Sequence, residues 1–313
     1  MRYALVSAAL AATASAHGLV TRIQGANGVM MPGLSVADGT PRDCSSNGCG
    51  SQADTAIIRQ RDIRSGRASP LGRTQGNGPI DASVMVSSFM GGANTAKAPT
   101  NNGASGAAGQ EDDLSALQQQ RQQRREEEKR QLGQLLGGGK ANGGGGLLDG
   151  LLGGGGGAGK QTNAAPESMV ADTAGQGSSQ GLPTADENGE VTMVFRQINQ
   201  DGAGPLSASI DATSGGTKAE SFQNAEVTQN VPGLGFGGLS TATKTDFPLK
   251  VKMPAGMTCE AKVGSAENVY IVRVQNTAAA GPFGGSAAFT QTKTARARAI
   301  AYRLKKRMEI NRD

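Results

Sequence analysis

The sequence has no tryptophan, one histidine and three cysteines in 313 residues, and aromatic residues make up only 3% of it. Each shortage removes a class of function. Without tryptophan, and with Tyr270 and Tyr302 the only tyrosines beyond the first sixteen residues, a flat aromatic platform for stacking sugars has little to build it. With a single histidine and no G-x-S-x-G, a hydrolase site has no second imidazole to draw on. N-x-Ser/Thr is absent, so N-glycosylation is not expected. After the N-terminal segment no apolar run is long enough to span a bilayer, and no apolar C-terminal tail offers a lipid-anchor signal. Hydrophobic residues reach 36% and glycines number 48, which predicts one modest core with a sizeable part of the chain outside it.

What is present begins with residues 1–16. Arg2 supplies a positive start, residues 4–12 an apolar stretch, and Ala14-Ser15-Ala16 a small-x-small cleavage pattern. This reads as a secretory signal peptide and predicts an exported product. Cleavage after Ala16 makes His17 the first residue, where a free amine and an imidazole can chelate a metal together. The plain alternative is that any residue can follow the cut.

Net charge is +5, and residues 291–313 alone carry eight Lys/Arg against Glu309 and Asp313. The basic balance therefore sits in the tail, and a whole-protein nucleic-acid role does not follow. Ile300, Leu304 and Met308 fall at i, i+4, i+8, so the tail reads as a basic helix able to contact an acidic surface or a membrane face, or else as a solvated end. Cys44 and Cys49 can close a small loop in an oxidising compartment, which leaves Cys259 unpaired. C-x4-C with a third cysteine 210 residues further on is a poor match to zinc spacings.

Composition divides the chain at 17–90, 91–180, 181–290 and 291–313. Residues 91–180 read as a low-complexity insertion, with a charged helix at about 111–136 and a glycine-rich run at 137–159; a linker between two domains is the other reading. "GAGK" at 157–160 lacks the strand and the Ser/Thr of a phosphate loop. From 187 onward the chain reads as short strands punctuated by Gly and Pro. "GEVTMVFRQ" alternates Val191, Met193 and Phe195 against Thr192, Val194 and Arg196, and Tyr270, Val272 and Val274 share one face of a later strand. "HGLVTRIQG" reads as an N-terminal strand, "DTAIIRQRDIRSG" as a helix docking Ile57, Ile58 and Arg61, and Asp81 as lying near the start of another helix. Together these predict an all-β fold: an antiparallel, immunoglobulin-like β-sandwich with a few short helices and a basic C-terminal helix.

Several stretches resemble a family of fungal, secreted, appressorium-associated virulence factors, the Egh-like and Gas-like proteins. They are "HGLVTRIQGANG" (17–28), "DGTPRDCSSNGCGSQADTAIIRQRDI" (38–63), "LGRTQGNGPIDASVMVSSFMG" (71–91), "NQDGAGPLSASID" (199–211), "VTQNVPG" (227–233), "TDFPLKVKMPAGMTC" (245–259) and "QNTAAAGPFGG" (275–285). The resemblance implies a protein exported by a fungus to the cell wall or host surface, with an unidentified component there as partner. That family is in turn distantly similar to lytic polysaccharide monooxygenases. Their mature N-terminal histidine binds copper with a second histidine, and an aromatic residue lies on the axial side. The copper-dependent alternative thus makes His17 a ligand and Phe283 its axial neighbour. The departure is at Arg196, where relatives tend to carry the second histidine; a guanidinium has no lone pair to donate. The copper site is thus incomplete, and a non-catalytic role is the expectation for this chain. Relatives also tend to carry cysteines at positions that here are Leu206, Tyr270 and Val274, which takes away the expected partner of Cys259. Paired carboxylates for glycoside hydrolysis would have to come from Asp43, Asp54, Asp81, Asp201 and Asp246. A third alternative is a self-associating matrix protein that uses the glycine-rich insertion.

Overall fold

The computed structural model describes residues 17–45, 49–92, 99–101, 159–161, 165–200, 202–233, 240, 242–278 and 281–310. Residues 1–16, read above as a signal peptide, and 111–136, read as a charged helix, lie outside the described residues, as does most of 91–180. The chain opens with β1 (Gly18–Gln24) and β2 (Met30–Pro32). It passes through β3 (Ala56–Ile57), α1 (Gln60–Arg64), β4 (Arg73–Thr74) and β5 (Gly78–Pro79) and reaches α2 (Ala82–Met90). Then come β6 (Lys160–Gln161), α3 (Met169–Asp172), α4 (Gly177–Gln180), β7 (Glu190–Gln197), β8 (Ser207–Asp211) and β9 (Phe222–Gln229). The last third holds β10 (Thr245–Lys252), β11 (Lys262–Val263), β12 (Ala266–Glu267), β13 (Tyr270–Gln275), β14 (Phe283–Phe289) and α5 (Lys293–Ile310).

The fold is all-β. One antiparallel sheet runs β2-β1-β7-β10-β9-β8-β13-β14-β3-β4-β5, with β6 added on β10. It curls so that its two halves face each other, and β9 is the corner strand, paired with β10 on one side and β8 on the other. The alternation in β7 and β10 aims Val191, Met193, Phe195, Phe247, Leu249 and Val251 into the core, as a half-buried strand requires. β14 is buried throughout, and β13 at every position but Arg273 and Gln275. α2 begins where Asp81 accepts a 2.8 Å hydrogen bond from Ser83 N and ends at Gly91, whose φ of 70° is the left-handed C-terminal stop. Its Met85, Val86 and Phe89 are buried.

The two halves come unusually close where β1 crosses β14. A Cβ on Gly285 would stand 2.5 Å from Val20 N and 3.0 Å from Val20 Cβ. The "GGSAA" stretch of β14 supplies the small residues that this approach needs. It brings the start of β1 against the start of β14.

Two readings of the sequence are corrected here. Ile57 and Ile58 do not dock a helix. Ile57 lies in β3, opposite Phe283 of β14 and Arg73 of β4, and only Gln60–Arg64 form a helix. A two-residue strand is fixed by partners far away in sequence, which local periodicity does not contain. Residues 165–180, which composition places at the end of the insertion, form α3 and α4. Val170 is buried in the core, and the Gly177 backbone lies against Phe89 and Met90.

Candidate functional site

His17 directly precedes β1, and Phe283 opens β14, so the close crossing of those strands brings the two together. Their ring centroids are 4.5 Å apart, tilted by 40°, and both side chains are buried. His17 O accepts a hydrogen bond from Ile198 N, and its own N donates to Asn199 Oδ1 at 2.6 Å. Gly202 packs directly against the His17 carbonyl. A Cβ on Gly202 would stand 2.0 Å from His17 O, so only glycine fits there. Asn276 ties the adjacent Ala203 to the loop before β14. Its Oδ1 accepts from Phe283 N (3.0 Å) and Ala278 N (3.2 Å), and its Nδ2 donates to Ala203 O (3.3 Å). Asn199 and Asn276 were not singled out from sequence; each opens or nearly opens a resembling stretch, "NQDGAGPLSASID" and "QNTAAAGPFGG", but a lone asparagine beside a turn is too common a signal to use.

A copper brace needs a second imidazole beside the first, and the donor set does not fit it. Register places Arg196 of β7 opposite Leu19, two residues from His17. The Arg196 guanidinium turns to Asp246 of β10, Nη1 to Oδ1 2.7 Å, and its Nη2 donates to Arg42 O. The position therefore presents a held cation where a neutral nitrogen donor is required. Among the described residues no group of three or more His, Cys, Asp or Glu side chains is placed to hold a metal. No chemical step is derived through copper.

Arg196 also belongs to a second arrangement, the floor of a cleft of about 490 Å³ lined by Arg22, Met30, Arg42, Glu167, Asp172 and Asp246, among others. Arg42 is buried and holds Asp54 with two bonds, Nη1–Oδ1 at 3.0 Å and Nη2–Oδ2 at 2.5 Å. Its Nε donates to Glu167 Oε2 at 3.0 Å. The planar fork explains why arginine occupies this position. Backbone bonds place Glu167: its N donates to Thr40 O (2.9 Å), and its O accepts from Gly39 N (2.8 Å). Burial works against the Arg42 charge, but Asp54 and Glu167 outweigh it and raise the Arg42 pKa above the ordinary guanidinium value. The result is a paired, mutually neutralised floor rather than an unpaired catalytic acid or base.

The carboxylates considered for glycoside hydrolysis are thereby placed. Asp54 binds Arg42, Asp246 binds Arg196 and Asp81 caps α2. Asp43 is exposed, and Asp201 lies outside the described residues. Cys44 and Cys49 are joined, with Cα atoms 6.5 Å apart, two residues beyond Arg42. Cys259 is a buried thiol that donates to Val269 O at 2.8 Å, and burial pushes its pKa up to about 11. Leu206, Tyr270 and Val274 are packed in the core.

The fold and site define an all-β protein with a buried histidine, His17, and an ion-paired cleft. The chain matches the family model of the Egh16-like virulence factors over residues 15–284, and it belongs to that family. It is 46% identical over 306 residues to the appressoria-specific virulence factor GAS2 of Pyricularia oryzae, covering 97% of this chain and 93% of that protein. It is 34% identical over 144 residues to the appressoria-specific virulence factor GAS1 of the same fungus, covering 45% of this chain and 54% of that one. No solved structure matches.

Proposed function

We propose that this chain is an exported virulence factor of the fungal cell wall or host interface that binds a surface component and catalyses no reaction on it. The observation that carries the reading is the state of position 196. The guanidinium there is fixed by Asp246 and Arg42 O, and the ring of the sole histidine is packed on Phe283 while its backbone N donates to Asn199 Oδ1. A copper oxidase needs that same corner to hold two neutral imidazoles. The names of the relatives support a role during infection-structure formation. Among the described residues no helix is long and apolar enough to cross a membrane. Once the chain is cut before His17, the freed amine keeps Asn199 Oδ1 as its partner.

The deciding experiment is a copper(II) titration of protein that begins at His17, read by calorimetry and electron paramagnetic resonance, beside a control with one added N-terminal residue. Weak binding that ignores the added residue is expected. Submicromolar binding that the added residue abolishes would overturn the reading and revive the monooxygenase alternative. Export has its own check: the protein recovered from the culture medium should begin at His17 by mass spectrometry, and an intact N-terminus would sink this part of the proposal.

A further inference from the structure

α5 is an 18-residue helix without a buried residue. Its two faces differ, and the apolar one does not dock. Arg296 Nη1 donates to Asn268 Oδ1 at 2.6 Å, Arg303 Nη1 to Thr258 Oγ1 at 2.8 Å, and Tyr302 and Arg303 lie against Gly256. Ala295, Arg296 and Ala299 are the half-buried positions. At about 100° per residue these contacts define one side of the helix, and Ile300, Leu304 and Met308 fall roughly 140° away from it, within about 80° of one another. Those three side chains are 45%, 54% and 61% exposed, and the exposed Ala297 and Ala301 lie along the same side. Arg307 flanks the stripe on one side and Lys305 on the other. The helix carries seven Lys/Arg against Glu309 alone.

We propose that α5 is an interfacial helix that lays its Ile300–Leu304–Met308 stripe on an anionic lipid surface, with the β-domain held behind it. A narrow apolar stripe edged by cations on both sides is the pattern of a helix lying in the plane of a bilayer interface, with apolar side chains among acyl chains and Lys/Arg at the headgroups. The polar contacts to Asn268 and Thr258 leave the stripe pointing away from the fold, where a flat surface can meet it. A second copy is opposed by charge, because two such helices would face each other with the same excess of cations. An acidic protein would have to offer a groove to a stripe of three large side chains, while a bilayer needs no preformed groove. This inference goes beyond the proposed function and holds whether or not the domain is catalytic.

The test uses the full chain, cut before His17, in co-sedimentation with vesicles of pure phosphatidylcholine and of an equimolar phosphatidylcholine–phosphatidylserine mixture. Binding to the anionic vesicles alone is expected, weakened by salt. It should fall about tenfold or more in Lys305→Glu/Arg307→Glu and also in Leu304→Gln/Met308→Gln. Thermal unfolding of each variant shows that the fold is intact. Full binding by Leu304→Gln/Met308→Gln overturns the proposal, since the stripe would then take no part. No binding to anionic vesicles overturns it as well. So does a dimer in size-exclusion chromatography that Leu304→Gln/Met308→Gln dissolves, which would assign the stripe to a second copy.

Discussion

Arginine does opposite work at two places in this molecule. Under the cleft, Arg42 and Arg196 are nearly inaccessible, and each meets a carboxylate, Asp54 and Asp246 respectively. Along α5, Arg298 and Arg307 belong to a helix exposed over most of its length, where the ion pairs, Arg298 with Glu187 at 3.9 Å and Lys305 with Glu309 at 4.0 Å, lie open to solvent. A charge taken out of water must be repaid by its partner, so the fold depends on that partner. A charge left in water adds little to stability and stays available for something outside the molecule. The same residue type therefore marks a structural requirement in one region and an interaction surface in the other.

The sharpest way to break this comparison is Asp54→Ala. It leaves Arg42 buried with only Glu167, and a loss of about 3–5 kcal/mol in unfolding free energy is expected from chemical denaturation. A loss below about 1 kcal/mol would mean that water reaches Arg42 and that the cleft floor is no different from the surface.

Next in size is a response to alkali. Burial pushes the Cys259 thiol from 9.0 to about 11, and burial also raises the Tyr270 hydroxyl. A group whose folded pKa is raised contributes stability that is fully present below its unfolded pKa and is lost as pH rises through the folded one. Stability should therefore decline from about pH 9 toward pH 11, with Cys259 accounting for roughly 2–3 kcal/mol of the fall. In Cys259→Ala the slope should be shallower. An unchanged slope would assign the alkaline loss to Tyr270 instead.

Asp246→Asn should have a smaller effect, about 1–2 kcal/mol, because Asp246 is partly exposed and Arg196 keeps Arg42 O. The copper titration of this variant should remain as weak as that of the unaltered protein. If freeing Arg196 alone created a tight site, the guanidinium would have been blocking a competent ligand set rather than replacing one of its members.

How much of this was legible in the sequence depends on the range of the interaction. β7 and β13 were legible because each writes its buried face into its own alternation. The start of α2 was legible because Asp81 caps it from the adjacent position. β3 was not: Ile57 and Ile58 are as compatible with a helix face as with a strand, and Phe283, which decides between them, lies more than two hundred residues away. The Arg42–Glu167 pair spans a separation of 125 residues, and nothing local announces it. Position 196 was legible only halfway. The missing imidazole could be seen, but the role of its replacement as the partner of Asp246 needed the β7–β10 register. In α5, periodicity located the stripe and said nothing about which face would dock, since the docking side is set by Asn268, Thr258 and Gly256, outside the helix.

The smallest expected effect is also the one that separates the two regions most cleanly. Leu304→Gln in solution should change unfolding free energy by less than about 0.5 kcal/mol. The reason is geometric. Leu304 is 54% exposed on the side of α5 turned from the domain, so the substitution removes little buried apolar area and leaves no cavity. Phe195→Ala is the internal standard: that ring is buried where β1 meets β7, and about 3–5 kcal/mol should be lost. If Leu304→Gln instead lowered stability by more than 1 kcal/mol, the stripe would have to be packed on the domain in solution. The exposed arginines beside it would then be structural in the same sense as Arg42, and the distinction between the two regions would fail. If the substitution is silent in solution and registers only against anionic vesicles, the stripe serves a surface outside the fold.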